Sequence, residues 1–166
     1  MLIDICIFLP VHSSFIARLS GWAAIPGYFR MFSKGISRFC GVDEDEFVRR
    51  TLEQSPSKVA EFIEEVSEKR GRPVSDFILT MDEARYDVSV VFSIDQESAT
   101  GARHLDPEVL AEVVNAYPER LRALMGVDPN KEDAAKSLEH GVKGLGLHGA
   151  LLCPFLHLLP ADDPAC

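Results

Sequence analysis

Long hydrophobic runs are missing from this sequence. No apolar stretch approaches the ~20 residues of a membrane-spanning helix, so a membrane protein is not expected. The opening MLIDICIFLP is strongly apolar, but Asp4 interrupts it and no basic residues precede it, so it does not read as a secretory leader. Positive charge is in deficit as well. The 17 Lys and Arg face 26 Asp and Glu, a net charge of −9, which excludes non-specific binding to a phosphate backbone and disfavours anionic membranes. Cysteine is sparse and scattered, at positions 6, 40, 153 and 166, with no Cys-x-x-Cys pair. That pattern fits free thiols in a reducing compartment better than a disulfide framework, so the expected location is the cytoplasm. Internal repeats, low-complexity tracts and a Gly-x-Ser-x-Gly elbow are absent, and no Ser/His/Asp arrangement is persuasive. The glycines of GLGLHG lack a strand-to-helix phosphate loop around them, which removes a dinucleotide reading.

What is present is the material of one soluble α/β domain. The 166 residues are 46% hydrophobic and 26% charged, enough for a single core over residues 1–166. Four short apolar segments read as strands, at 2–8, 88–93, 122–127 and 143–148, and their continuous apolarity suits parallel strands covered on both faces. Amphipathic helices separate them. Val59, Phe62, Ile63 and Val66 repeat at helical spacing, behind an N-cap at Ser55 and Pro56 at the first helical position, and Gly71 ends the run. Val74, Phe77, Ile78 and Met81 repeat the pattern. Asp106-Pro107 and Asp128-Pro129 open two further helices, the second stopped by Gly141. From residue 74 the order helix, strand, helix, strand, helix, strand is that of βα units around a parallel sheet.

Residues 9–55 break the alternation. Their apolar, aromatic text, followed by VDEDEFVRRTLEQ with its acidic first turn, reads as an insertion of short helices after the first strand. Loops at the C-terminal ends of strands are where such folds hold substrate-binding parts. A helical lid or packing layer accounts for the segment equally well.

Four stretches in order, MLIDI, FILTMDEARYDVSVVFSIDQESATG, VLAEVVNAYPERLRALMGVDPNKEDAAKSLE and GVKGLGLHGALL with PADDP, resemble the amidohydrolase superfamily. The nearest branch is the one containing aminocarboxymuconate-semialdehyde decarboxylase and related metal-dependent hydrolases and decarboxylases. The resemblance implies a (β/α)₈ TIM barrel with its site at the C-terminal strand ends, where a divalent metal, usually zinc, activates water or polarises a small carboxylated substrate. Two departures shape what is expected of this chain. The family's His-x-His at the end of the first strand is here Cys6-Ile7-Phe8, and Phe8 offers a metal no donor atom. The second half of the barrel, with the family's remaining ligands, is not in this sequence. The expected fold is therefore a partial barrel of about four parallel strands with covering helices, and its open edges call for self-association or a complementing half.

Among individual residues, His148 stands where the resemblance places a histidine at the barrel mouth, which makes it the candidate catalytic and substrate-binding group. Gly146 and Gly149 replace the lysine and proline that flank it in the family. Asp95, after the second predicted strand, is a second substrate-binding candidate, with a solvated loop aspartate as the plainer reading. Cys153 and His157 are four apart, a metal-ligand spacing on a helix, but Pro154 lies between them. The acidic run at 43–46 reads as a helix start. The expectation is an amidohydrolase-like protein, truncated or deficient in its metal site, inactive and binding no cofactor as an isolated chain. The alternatives are a non-catalytic interaction module and a small open α/β domain of flavodoxin-like architecture, whose strand order would reverse across the sheet.

Overall fold

The computed structural model describes residues 1–101, 104–157 and 159–160, with the backbone alone at positions 6, 7, 26 and 155. Its centre is a four-stranded parallel sheet in the order β1-β2-β3-β4. The strands are β1 (Ile3–Ile7), β2 (Val88–Phe92), β3 (Leu121–Gly126) and β4 (Gly149–Leu151). Because the order is sequential, the sheet has no point at which strand order reverses, and the flavodoxin-like alternative requires one. The chain is thus α/β, with a parallel sheet of the kind a partial α/β barrel contains.

Four short helices follow β1, as the insertion reading expects: α1 (His12–Ala23), α2 (Pro26–Met31), α3 (Ser33–Cys40) and α4 (Glu44–Thr51). The acidic text at 43–46 starts α4, where the Asp43 carboxylate accepts hydrogen bonds from the N–H groups of Asp45 and Glu46. Next come α5 (Pro56–Arg70) and α6 (Val74–Ala84) before β2. Beyond it lie the one-turn α7 (Glu97–Thr100), then α8 (Pro107–Ala116), β3 and α9 (Ala134–Glu139).

Two hydrophobic clusters form. One lies against the sheet, where Val91, Leu121, Ala123 and Met125 meet Met81 of α6 and Leu110 and Val114 of α8. The other holds the insertion onto α5, with Leu19, Phe29, Ile36 and Phe47 around Phe62, Ile63 and Val66. The helical spacing read from the sequence supplies the buried faces in both.

Three local readings need correction. The fourth strand is not at 143–148. Residues His140–Gly144 form a π-helical turn, Gly146 takes a positive φ of 76°, and pairing resumes only at Gly149 opposite Leu124. Glycines at 141, 144 and 146 weaken a strand and permit the turn. The last helix begins at Ala134, not behind Asp128, whose carboxylate takes the local Asn130 N–H but is shared with the Ser98 N–H and hydroxyl. The first strand, read at 2–8, is not regular throughout: the β1–β2 register shifts between Ile5 and Ile7, which interrupts the strand's alternation. The side chain of Cys6 lies outside the described residues, as does the PADDP segment from Ala161 on. No helix among the described residues is long and apolar enough to cross a membrane.

Candidate functional site

Parallel pairing brings the four C-terminal strand ends to one edge: Phe8 after β1, Ser93 to Gln96 after β2, Val127 and Asp128 after β3, and Leu152 and Cys153 after β4. A close backbone approach seals the middle of this edge. A Cβ at Gly126 would lie 2.7 Å from Ile94 Cα, so only glycine fits where β3 passes the turn after β2. Two features share the edge, a polar group and an apolar cavity.

Asp95 anchors the polar group and is only 7% exposed, not the solvated loop residue of the plainer reading. Lys131 Nζ donates to Asp95 Oδ2 at 2.9 Å and to Glu97 Oε2 at 2.7 Å. Burial alone would lower the Lys131 pKa, but the hydrogen bonds to Glu97 and Asp95 outweigh it and hold the ammonium charged. The same lysine holds the Glu97 carboxyl below its usual range. His104 Nδ1 lies 3.5 Å from Asp95 Oδ1 and 3.7 Å from Glu97 Oε2, and it is buried without a hydrogen-bond partner. Asp95, Glu97 and His104 offer three ligand atoms within 4.8 Å of one another, a possible metal-binding triad.

Asp128 sits beside this group. Its carboxylate accepts the Ser98 N–H and hydroxyl, each at 2.8 Å, and the Asn130 N–H at 3.1 Å. Burial pushes its pKa up, but these bonds and the nearby His157 bring it below the ordinary aspartate range. His157 Nδ1 approaches Asp128 Oδ1 to 3.3 Å, and both side chains are shut from solvent. His157 therefore faces Asp128 from a 3₁₀ turn (Pro154–His157), while Cys153 lines the neighbouring cavity.

That cavity is about 330 Å³ and lies between α1 and the strand ends. Phe8, Phe92, Trp22, Leu105 and Leu156 are among its walls, and among the described residues its one charged lining group is Arg18 of α1. The Arg18 guanidinium carbon lies over the Phe8 ring, 3.7 Å from its centre, and 4.5 Å from the centre of Phe39. Phe8 in turn packs on Phe92, ring centres 4.3 Å apart. Burial lowers the Arg18 pKa to about 10, opposed by the Cys40 sulfur, so the side chain stays cationic at neutral pH. α1 is seated here by Gly21, where any Cβ would overlap the Gln96 side chain.

His148 is not part of this edge. It precedes β4 and so stands at the start of that strand, level with Ala123. Its N–H donates to the Ala123 carbonyl at 2.9 Å, and its Nδ1 accepts the Ala123 N–H at 3.2 Å. Burial, then the Arg122 charge, lowers its pKa, consistent with a neutral ring. The structure therefore separates the two sequence candidates, keeping Asp95 at the strand ends and His148 away from the cavity lining.

No motif marks Arg18, His104 or Lys131, and Asp128 with Pro129 has only the pattern of a helix start. One signal was available. Arg18 is the only charged residue between His12 and Arg30, inside an otherwise apolar and aromatic text. No family model matches the chain, and neither a curated protein nor a solved structure matches it.

The donor set does not fit the zinc that the sequence resemblance implies. Phe8, which the resemblance alone sets at a ligand position, offers an aromatic ring that the Arg18 guanidinium already covers. The Asp95–Glu97–His104 group has an ammonium bonded to both carboxylates. A divalent ion there would have to displace Lys131 or meet its charge at close range.

Proposed function

We propose that this chain is an amidohydrolase-like partial barrel that binds a small organic molecule at its strand ends without a metal of its own, a metal-site-deficient relative of hydrolases and decarboxylases. The observation that carries this reading is Lys131, whose ammonium bridges Asp95 and Glu97 where a metal would need both carboxylates free. The sequential parallel order and the cavity at the C-terminal edge support it.

Metal analysis of the protein purified without chelator tests it. The expected zinc content is well below one per chain, with or without added zinc followed by desalting. One tightly retained zinc per chain would overturn the reading in favour of a metal-dependent hydrolase or carboxy-lyase. Asp95, Glu97 and His104 would then be the ligands, their spacing within 4.8 Å being what favours that second reading.

A further inference from the structure

Arg18 carries a charge that no ion pair among the described residues compensates. The chain has 26 Asp and Glu, yet among the described residues no carboxylate pairs with this guanidinium. Its Nε is buried with no hydrogen-bond partner. Its neighbours are rings, at 3.7 Å for Phe8, 4.5 Å for Phe39, 5.7 Å for Trp22 and 5.8 Å for Phe15. Arginine is seldom buried unless paired, and a desolvated donor without an acceptor is costly. The aromatic contacts hold the guanidinium in place but offer no acceptor in its own plane, along which its N–H groups point. Here they border an apolar cavity of about 330 Å³, at the small end of ligand-sized pockets.

We propose that the Arg18 cavity is a binding site for a small aromatic monocarboxylate, with the guanidinium taking the carboxylate and the Phe8, Phe92 and Trp22 walls taking the ring. This deepens the small-molecule reading proposed above and rests on its placement of the binding face. One cation in an apolar chamber matches one negative charge. A phosphate monoester would bring a second charge that no other cationic side chain meets among the described residues of the lining. The planar fork of arginine suits the two oxygens of a carboxylate, and the rings around it restrain that fork before the ligand arrives. The apolar walls make the flat body part of recognition, so a short aliphatic acid lacks half of what the site reads.

The test uses the whole chain and three probes: benzoate, its neutral isostere benzamide, and acetate. Calorimetric titration reads affinity, and protection of Cys153 from iodoacetamide, followed by peptide mass spectrometry, reports on the cavity because Cys153 lines it. Benzoate is expected to bind saturably and protect Cys153, with benzamide and acetate each about tenfold weaker or more. Arg18→Met is expected to lose the preference for benzoate over benzamide while its circular dichroism stays native. If Arg18→Met does not fold, Arg18→Lys serves, keeping the charge and losing the fork, with benzoate binding reduced. No saturable benzoate binding, equal binding of benzamide, or unchanged benzoate binding in the variant would each overturn the proposal and leave Arg18 as a packing cation. The zinc content is measured separately, so a failure here does not coincide with a failure of the metal-free reading.

Discussion

Gly126 shows how one residue sets the spacing of the strand-end edge. It closes β3 against the turn after β2, with Ile94 Cα where a methyl group would have to go and the Asp95 N–H closer still. Its N–H donates to Ser93 Oγ at 2.9 Å, which ties the two turns together. An alanine here must push the β2 turn outward, carrying Asp95 away from Lys131. Gly126→Ala is expected to destabilise the protein by about 1–3 kcal/mol, the usual cost of overpacking. Urea unfolding measures it, and a variant as stable as the parent would show that the two turns are not in the contact described. Asp95 belongs to the same scale. Its burial follows from its place one turn beyond a buried strand, whereas its neighbours in sequence, Glu97 and Ser98, are exposed.

At the scale of elements, the insertion stands or falls on its own small core. Phe47 of α4 is fully buried, ring centres 5.1 Å from Phe29 and 6.0 Å from Phe62, and it joins α2 and α5. Phe47→Ala is expected to cost about 3–5 kcal/mol. Because α1 packs on the same cluster through Leu19, the loss should reach the Arg18 cavity. Faster iodoacetamide labelling of Cys153 in Phe47→Ala, under conditions where the protein remains folded, checks that link; an unchanged rate would mean the two regions are independent. The helices were legible because their apolar stripes are long and regular: Val59, Phe62, Ile63 and Val66 bury as their spacing requires. β4 was not, because its three residues are shorter than any periodicity can mark, and the apolar Leu145 and Leu147 before it lie in the connection between the π-turn and the strand. The first turn of α9 was misread for a related reason. Asp128-Pro129 has the letters of a helix start, but Ser98, 30 residues earlier, competes for the carboxylate, and no local pattern reveals a partner so distant. The strand-end site was half legible. Asp95 follows a strand and could be marked, while Lys131 and His104 meet it only through the fold.

At the scale of the whole molecule, charge dominates. With a net charge of −9, the chain depends on its carboxylates being held by specific partners against their mutual repulsion. Two such carboxylates link separate elements. Arg50 of α4 donates to Glu65 of α5 at 2.6 Å, and with Lys69 it lowers the Glu65 pKa to about 2. Asp128 ties the β3 end to α7 through Ser98 and is also lowered. A carboxylate whose pKa is depressed in the folded state stabilises the fold above its unfolded value and ceases to do so as pH falls through the folded value. Glu65 is partly exposed and solvent screens its pair, so the buried Asp128 should carry the larger share. Stability is therefore expected to be level from pH 7 to 5 as far as these two groups decide it, and to decline below about pH 4 as their protonation begins. Asp128→Asn isolates the second contribution. At pH 7 the variant should be less stable by about 2 kcal/mol, the cost of weakening charged hydrogen bonds from partly buried donors to a buried carboxylate. As the parent's Asp128 protonates, the two urea midpoints should converge, since both proteins then carry a neutral group at 128. A difference that stays constant down to pH 2 would mean that Asp128 contributes by its shape and not by its charge.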